Sequence, residues 1–124
     1  MKLIEYTKTG ERSNEYPMIS VSKKGNIMLN KKGMELISAK PGDRVVFAND
    51  QDKKEDWFIR KGKGEEGARL RKCSGSSGCI MNFSLVVEQI QRTLGVSKTI
   101  RMKIFPEKIG DNLYQLNTKE VNRL

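Results

Sequence analysis

The clearest signal in the chain is a period-two alternation that starts, breaks and starts again. From Met18 the apolar Ile19 and Val21 alternate with Ser20 and Ser22 until Gly25 interrupts, and Ile27 and Leu29 resume the pattern. That is the signature of two half-buried strands joined by a tight turn. The period then lengthens. In "NKKGMELIS", Met34 and Ile37 stand three apart behind Asn30, whose side chain can accept a hydrogen bond from a free amide, so a short helix is expected, weakened by Gly33. Pro41 and Gly42 end it in a turn. Val45 and Phe47 alternate with Arg44 and Val46, and Trp57 and Ile59 alternate with Phe58 and Arg60 beyond the polar "NDQDKKED" loop. The first half therefore reads as a ββαββ unit.

The same order recurs after residues 62–67, "GKGEEG", whose glycine and charge content is that of a flexible connection. Ala68 and Leu70 alternate with Arg69 and Arg71, "CSGSSGC" turns the chain, and Ile80 opens a strand. Ser84 is placed to cap a longer helix carrying Val86, Val87, Ile90 and Leu94, with Gly95 as its stop. Ile100, Met102 and Ile104 alternate with Arg101, Lys103 and Phe105, and after a "PEKIGDN" turn Leu113, Tyr114 and Leu116 make the last strand. Gly25, Ile27, Met28, Glu35 and Ile37 match Gly78, Ile80, Met81, Glu88 and Ile90 at a constant offset of 53. A repeated unit that cannot bury its apolar face alone is expected to pair with its copy. The fold class expected is α+β, mostly β: one barrel-like domain over 1–124, built from pseudo-repeated ββαββ units at 17–61 and 68–117 with a connector at 62–67. Leu3, Ile4 and Tyr6 suggest a further short strand, followed by a loop of turn formers.

Charge changes the picture next. Among 124 residues, 24 Lys and Arg against 15 Asp and Glu leave a net charge of +9, which draws polyanions, either nucleic acid or an acidic membrane surface, and charge alone does not choose between them. No apolar run approaches the ~20 residues that span a bilayer, and "MKLIEYTKTG" lacks the long apolar segment of a secretion signal. The expectation is a cytoplasmic protein with no membrane partner. There is no histidine, and the cysteines are two, Cys73 and Cys79. Imidazole-based catalysis is thereby excluded, and neither a Cys/His metal site nor another cofactor is expected. Cys73 and Cys79 flank a turn short enough to bridge, although a cytoplasmic setting favours free thiols. Glu65 and Glu66 are neighbours rather than opposed across a cleft, and no nucleophile stands with a base, so no enzymatic activity is expected.

Candidate contact residues follow from the cations. Lys23, Lys24, Lys31 and Lys32 flank one strand and its helix start, and Arg69, Arg71 and Lys72 mark the corresponding strand of the second half. If the halves are related by a pseudo-twofold axis, both clusters come to one end of the barrel. Lysines in a first helical turn oppose the helix dipole, a placement that folding alone disfavours. Ser76 and Ser77, in the Gly-Ser-Ser-Gly tip between the cysteines, have the small size that lets a phosphate approach; a hairpin tip needs the same composition. Trp57, Phe58, Phe105 and Tyr114 occupy strand positions suited to a core, or to stacking on bases where exposed.

The stretch "GNIMLNKKGMELISAKPGDRVVF", Gly25 to Phe47, resembles the AbrB/SpoVT/MazE group of swapped-hairpin regulators in its leading glycine, short apolar strand, short helix and "KPGDRVVF". The resemblance implies two interleaved copies closing one barrel that presents basic loops and helix starts to DNA. Asn26 stands where the family commonly has an arginine, and Asn30 where a proline closes the strand. A chain with two such units can close the barrel alone, so a monomer or a homodimer is expected. The function expected is DNA binding in transcription regulation, through Lys23, Lys24, Asn26, Lys31, Lys32, Arg69, Arg71, Lys72, Ser76 and Ser77. The alternatives are a single-stranded DNA or RNA binder and an antitoxin-like protein-interaction module.

Overall fold

The computed structural model describes residues 2–3, 16–22, 24–72, 78–110, 112–119 and 121–123. The elements are β1 (Met18–Val21), β2 (Asn26–Leu29), α1 (Lys31–Leu36), β3 (Arg44–Asn49), β4 (Trp57–Lys61), β5 (Ala68–Arg69), β6 (Arg71–Lys72), β7 (Cys79–Asn82), α2 (Ser84–Leu94), β8 (Ile100–Ile109), β9 (Leu113–Leu116) and β10 (Asn122–Arg123). Of the strand expected near the start, Ile4 and Tyr6 lie outside the described residues.

The strands form one antiparallel sheet in the order β5-β3-β4-β9-β8-β1-β2-β7-β6, with β10 beside β8. The two ends of this path, β5 and β6, are separated in the chain by Leu70 alone, so the sheet curls back on itself as a nearly closed barrel. Leu70 holds the seam: its amide donates to the Asp43 carbonyl at 2.8 Å, and its carbonyl accepts from the Gly42 amide at 2.9 Å. Period-two alternation turns Ile19, Val21, Ile27, Leu29, Ile59, Met81, Ile100 and Met102 into the interior, all fully buried. Each such side chain stabilises the fold by roughly 1.5–3 kcal/mol relative to exposure. The helices cover the same core. Met34 of α1 and its cap Ile37 are buried, as are Val86, Val87 and Ile90 of α2. Trp57 Nε1 donates to Thr93 Oγ1 at 2.8 Å and so fastens α2 to β4.

Asn30 caps α1 as its sequence position suggests. Its Oδ1 accepts from the Gly33 amide at 2.8 Å and from the Met18 amide at 3.0 Å, and its Nδ2 donates to the Tyr16 carbonyl at 2.7 Å. One side chain thus joins the helix start to the beginning of β1. Asn30→Ala is expected to cost about 1–2 kcal/mol in urea unfolding, whereas Asn30→Asp, which keeps the accepting oxygen, should recover much of that loss.

Several local expectations are corrected. Ser84 is the first helical residue rather than the cap; Phe83 takes the cap position, with no side-chain bond to the helix amides. The β1–β2 turn dictates this, because the Phe83 amide donates to the Gly25 carbonyl at 3.0 Å and a Cβ on Gly25 would lie 2.7 Å from Ser84 Oγ. The 62–67 run is not a loose connector. Arg60 grips the Glu66 carboxylate at 2.9 and 3.2 Å, the Lys63 amide donates to Glu66 Oε1 at 3.0 Å, and the Arg44 guanidinium donates to the Gly67 carbonyl at 2.8 Å. The hydrogen bonds from Arg60 and then from the Lys63 amide hold the Glu66 carboxyl down at about 2. A depressed carboxylate contributes fully above its ordinary range and loses that contribution as pH falls through the lowered value. This tie therefore persists at any ordinary acidity. Finally, β8 continues through Pro106 to Ile109, and the "PEKIGDN" turn shrinks to the neighbourhood of Gly110 and Asn112, both at positive φ. Pro106 is tolerated because β1 stops pairing with β8 at Lys103.

The offset of 53 holds in the helices, where Gly33, Met34 and Ile37 are buried like Val86, Val87 and Ile90. It fails in the strands. Ile27 is buried while Ile80 faces outward, and Met81 is buried while Met28 faces outward. A slip of one residue exchanges the faces of a strand, so these identities are not structural equivalences.

Candidate nucleic-acid interface

The centre of the candidate face is the pair β2–β7, where Asn26 is opposite Asn82 and Met28 is opposite Ile80. These four face outward because their neighbours Ile27, Leu29, Cys79 and Met81 fill the core. The register extends the Met28–Ile80 pair into a row. Ser20 is the partner of Met28, Arg101 the partner of Ser20, and Arg71 the partner of Ile80. The row therefore runs Arg101, Ser20, Met28, Ile80, Arg71, with an apolar middle and a guanidinium at either end. Beside it, the Ser22 amide donates to the Asn26 carbonyl at 2.8 Å, while Arg69 stands outward one pleat from Arg71 with Leu70 buried between them.

Arg69 is directly opposite Arg44 of β3. Like charges in that relation destabilise a sheet by some tenths of a kcal/mol. Two acids of the surrounding segments are committed elsewhere: the Asp43 carboxylate accepts from the Lys40 amide at 3.0 Å and pairs with Lys61 at 3.5 Å, and Glu66 pairs with Arg60 at 2.9 Å. β1, β2, β5, β6, β7 and the 100–103 part of β8 contain no Asp or Glu. Acidic residues collect elsewhere, notably Asp50, Asp52, Glu55 and Asp56 after the far end of β3, some 17 Å of strand from Arg44.

Of the residues singled out in the sequence, Asn26, Arg69 and Arg71 share this face. The flanking lysines are divided between its ends rather than gathered at one. Lys24 lies on the β1–β2 turn beside the start of α2, whereas the exposed Lys31 and Lys32 follow the opposite end of β2, about 13 Å of strand away. Lys72, opposite Cys79, belongs to that second end. Lys32 Nζ is 4.0 Å from Glu35. Lys23, Ser76, Ser77 and Cys73 lie outside the described residues. Arg44, Arg101, Asn82 and Lys103, whose Nζ sits 4.6 Å from the centre of the Tyr16 ring, join the face without having been singled out. Their outward phase was visible in the alternation, but which strands they neighbour depends on pairings between distant segments. Trp57 and Tyr114 are buried and unavailable for stacking; Phe105, 40 % exposed, lies on β8 beyond its pairing with β1.

No helix among the described residues is long and apolar enough to cross a membrane. Compared with models of known protein families, with characterised proteins and with solved structures, the chain matches none.

Proposed function

We propose that this chain is a cytoplasmic DNA-binding protein, acting in transcription regulation, which lays the outward face of β1, β2, β5, β6 and β7 on a duplex. The observation that carries this reading is an acid-free face with arginines at both ends of one row and two arginines, Arg44 and Arg69, placed opposite each other. An anionic ligand beside this pair relieves the repulsion, while one nitrogen of Arg44 stays on the Gly67 carbonyl. Arg71 and Arg101 stand four inter-strand steps apart along the curled sheet, an arc of about 19 Å at ~4.8 Å each, and bound its outward row. The burial of Trp57 and Tyr114 favours duplex over single strands, since a single-strand platform uses exposed rings.

The barrel is read further as two ββαββ units, 17–61 and 68–117, joined in one chain, the first resembling the AbrB/SpoVT/MazE type. Assigning β1 to the β5–β6 strand, β2 to β7, α1 to α2, β3 to β8 and β4 to β9 carries β1–β2 onto β6–β7 and β1–β8 onto β5–β3. It also carries β3–β4 onto β8–β9, and returns β2–β7 and β4–β9 to themselves. That correspondence supports a fused pseudo-dimer, with Asn26 at the centre of the DNA face and the exposed Lys24, Lys31, Lys32 and Lys72 at its edges.

The test is a titration of labelled duplex and single-stranded DNA at several salt concentrations. Duplex binding is expected to be tighter, with a log–log salt slope of roughly −0.9 per phosphate contacted. Tighter binding to single strands, at about −0.7 per phosphate, would replace the duplex reading. Absence of binding to either at moderate salt would replace nucleic acid with a protein partner.

A further inference from the structure

The two halves of the face do not carry the same chemistry. Next to β2, strand β1 turns Ser20 and Ser22 outward; next to β7, the β5–β6 strand turns Arg69 and Arg71 outward. These strands hold corresponding places on either side of the β2–β7 centre, yet one offers neutral hydroxyls and the other two guanidinium groups. A dimer of identical chains must show the same residues to both halves of its ligand, which is why such dimers select palindromic operators. A barrel closed within one chain is free of that constraint.

We propose that the face binds a duplex site lacking two-fold symmetry, in a single orientation, with one chain per site. This rests on the DNA-binding reading above. Arginine donates bidentately to guanine O6 and N7, whereas serine takes either base and asparagine suits adenine. The preferred half-site under Arg69 and Arg71 is therefore guanine-containing, the centre under Asn26 and Asn82 favours adenine, and the half under Ser20 and Ser22 is the more permissive. Turning the chain end for end on the same sequence puts hydroxyls over the guanines and guanidinium groups over the permissive half, losing the matched contacts.

The experiment selects bound sequences from a randomised duplex library and then maps orientation. A DNA-cleaving group is tethered to Lys98→Cys, an exposed position shortly before Arg101 and on the serine side, in a chain also carrying Cys73→Ser so that the tether has one exposed thiol. The expected outcome is a non-palindromic consensus with guanine on one side, cleavage on the other side only, and one chain per duplex by analytical ultracentrifugation. Arg69→Ser with Arg71→Ser, which gives both halves hydroxyls, should erase the guanine preference and spread cleavage to both sides. A palindromic consensus, equal cleavage on both sides by the unaltered face, or two chains per site overturns the asymmetry while leaving DNA binding intact. Recovery of no duplex at all at moderate salt overturns both together.

Discussion

Alanine at Gly67 is expected to destabilise the barrel by more than about 4 kcal/mol. Gly67 has φ +76°, and a Cβ there would lie 2.0 Å from the Val45 carbonyl oxygen and 2.6 Å from its carbon. Neither side can yield cheaply: Val45 is buried in β3 and paired with both Ala68 and Lys61, while the Gly67 carbonyl accepts from Arg44 at 2.8 Å. The left-handed backbone costs about 1–2 kcal/mol for a residue with a side chain. Displacing a strand from its core position adds more, so a total beyond about 4 kcal/mol is expected, against the 5–15 kcal/mol by which whole domains are stable. Gly64 is the internal comparison, with φ +59° and nothing near its Cβ position; Gly64→Ala should cost only the backbone contribution. Urea unfolding followed by circular dichroism distinguishes them. If Gly67→Ala loses no more than Gly64→Ala, the 62–67 segment is free to move off β3.

Reversing Arg69 and Arg71 to glutamate is expected to lower duplex affinity by about two decades at roughly 0.1 M salt. Each bidentate arginine–guanine pair is worth about 1–3 kcal/mol, about one decade or more, and two such pairs are lost. Stability should move the other way, because Arg69→Glu converts the repulsive pair with Arg44 into an attractive one, a gain of up to about 1 kcal/mol. A variant that folds more firmly and binds less separates a ligand-facing charge from a structural one. Lys108→Glu with Lys119→Glu, both exposed and outside the row, supplies the comparison. Equal losses from the two pairs would reduce the interaction to diffuse attraction towards a cationic protein.

The elements of the fold were legible in the chain because each announces its own period. The alternations at 18–22, 27–29, 45–47, 57–60 and 100–105, the Asn30 cap and the Gly95 stop are all local signals, and each corresponds to an observed element. What sequence alone could not supply was partnership between distant segments. Identity at a constant offset placed Ile27 against Ile80, and only the register exposes them as lying on opposite faces. Ser84 lost the cap because Gly25, 59 positions earlier, crowds it. The glycines of 62–67 looked like flexibility when at least Gly67 answers a close approach to β3. On the candidate face, Arg69 and Arg71 were readable as outward cations. Their neighbours Arg44 and Arg101 became part of the same surface only through β5–β3 and β8–β1, pairings that no short-range pattern encodes.

The pairing of β1 with β8 also has a bearing on synthesis. Residues 18–21 find their second partner only in residues 100–103, so Ile19 and Val21 leave the ribosome long before the strand that completes their ladder. Until then the nascent chain carries an unsatisfied hydrogen-bonding edge and an uncovered apolar face. Translation at ~5–20 residues per second makes that interval on the order of ten seconds. Topologies built on such non-local pairings fold slowly. Production of the protein should therefore respond to chaperone supply more than its size suggests, the N-terminal half waiting on the ribosome for the C-terminal half to arrive.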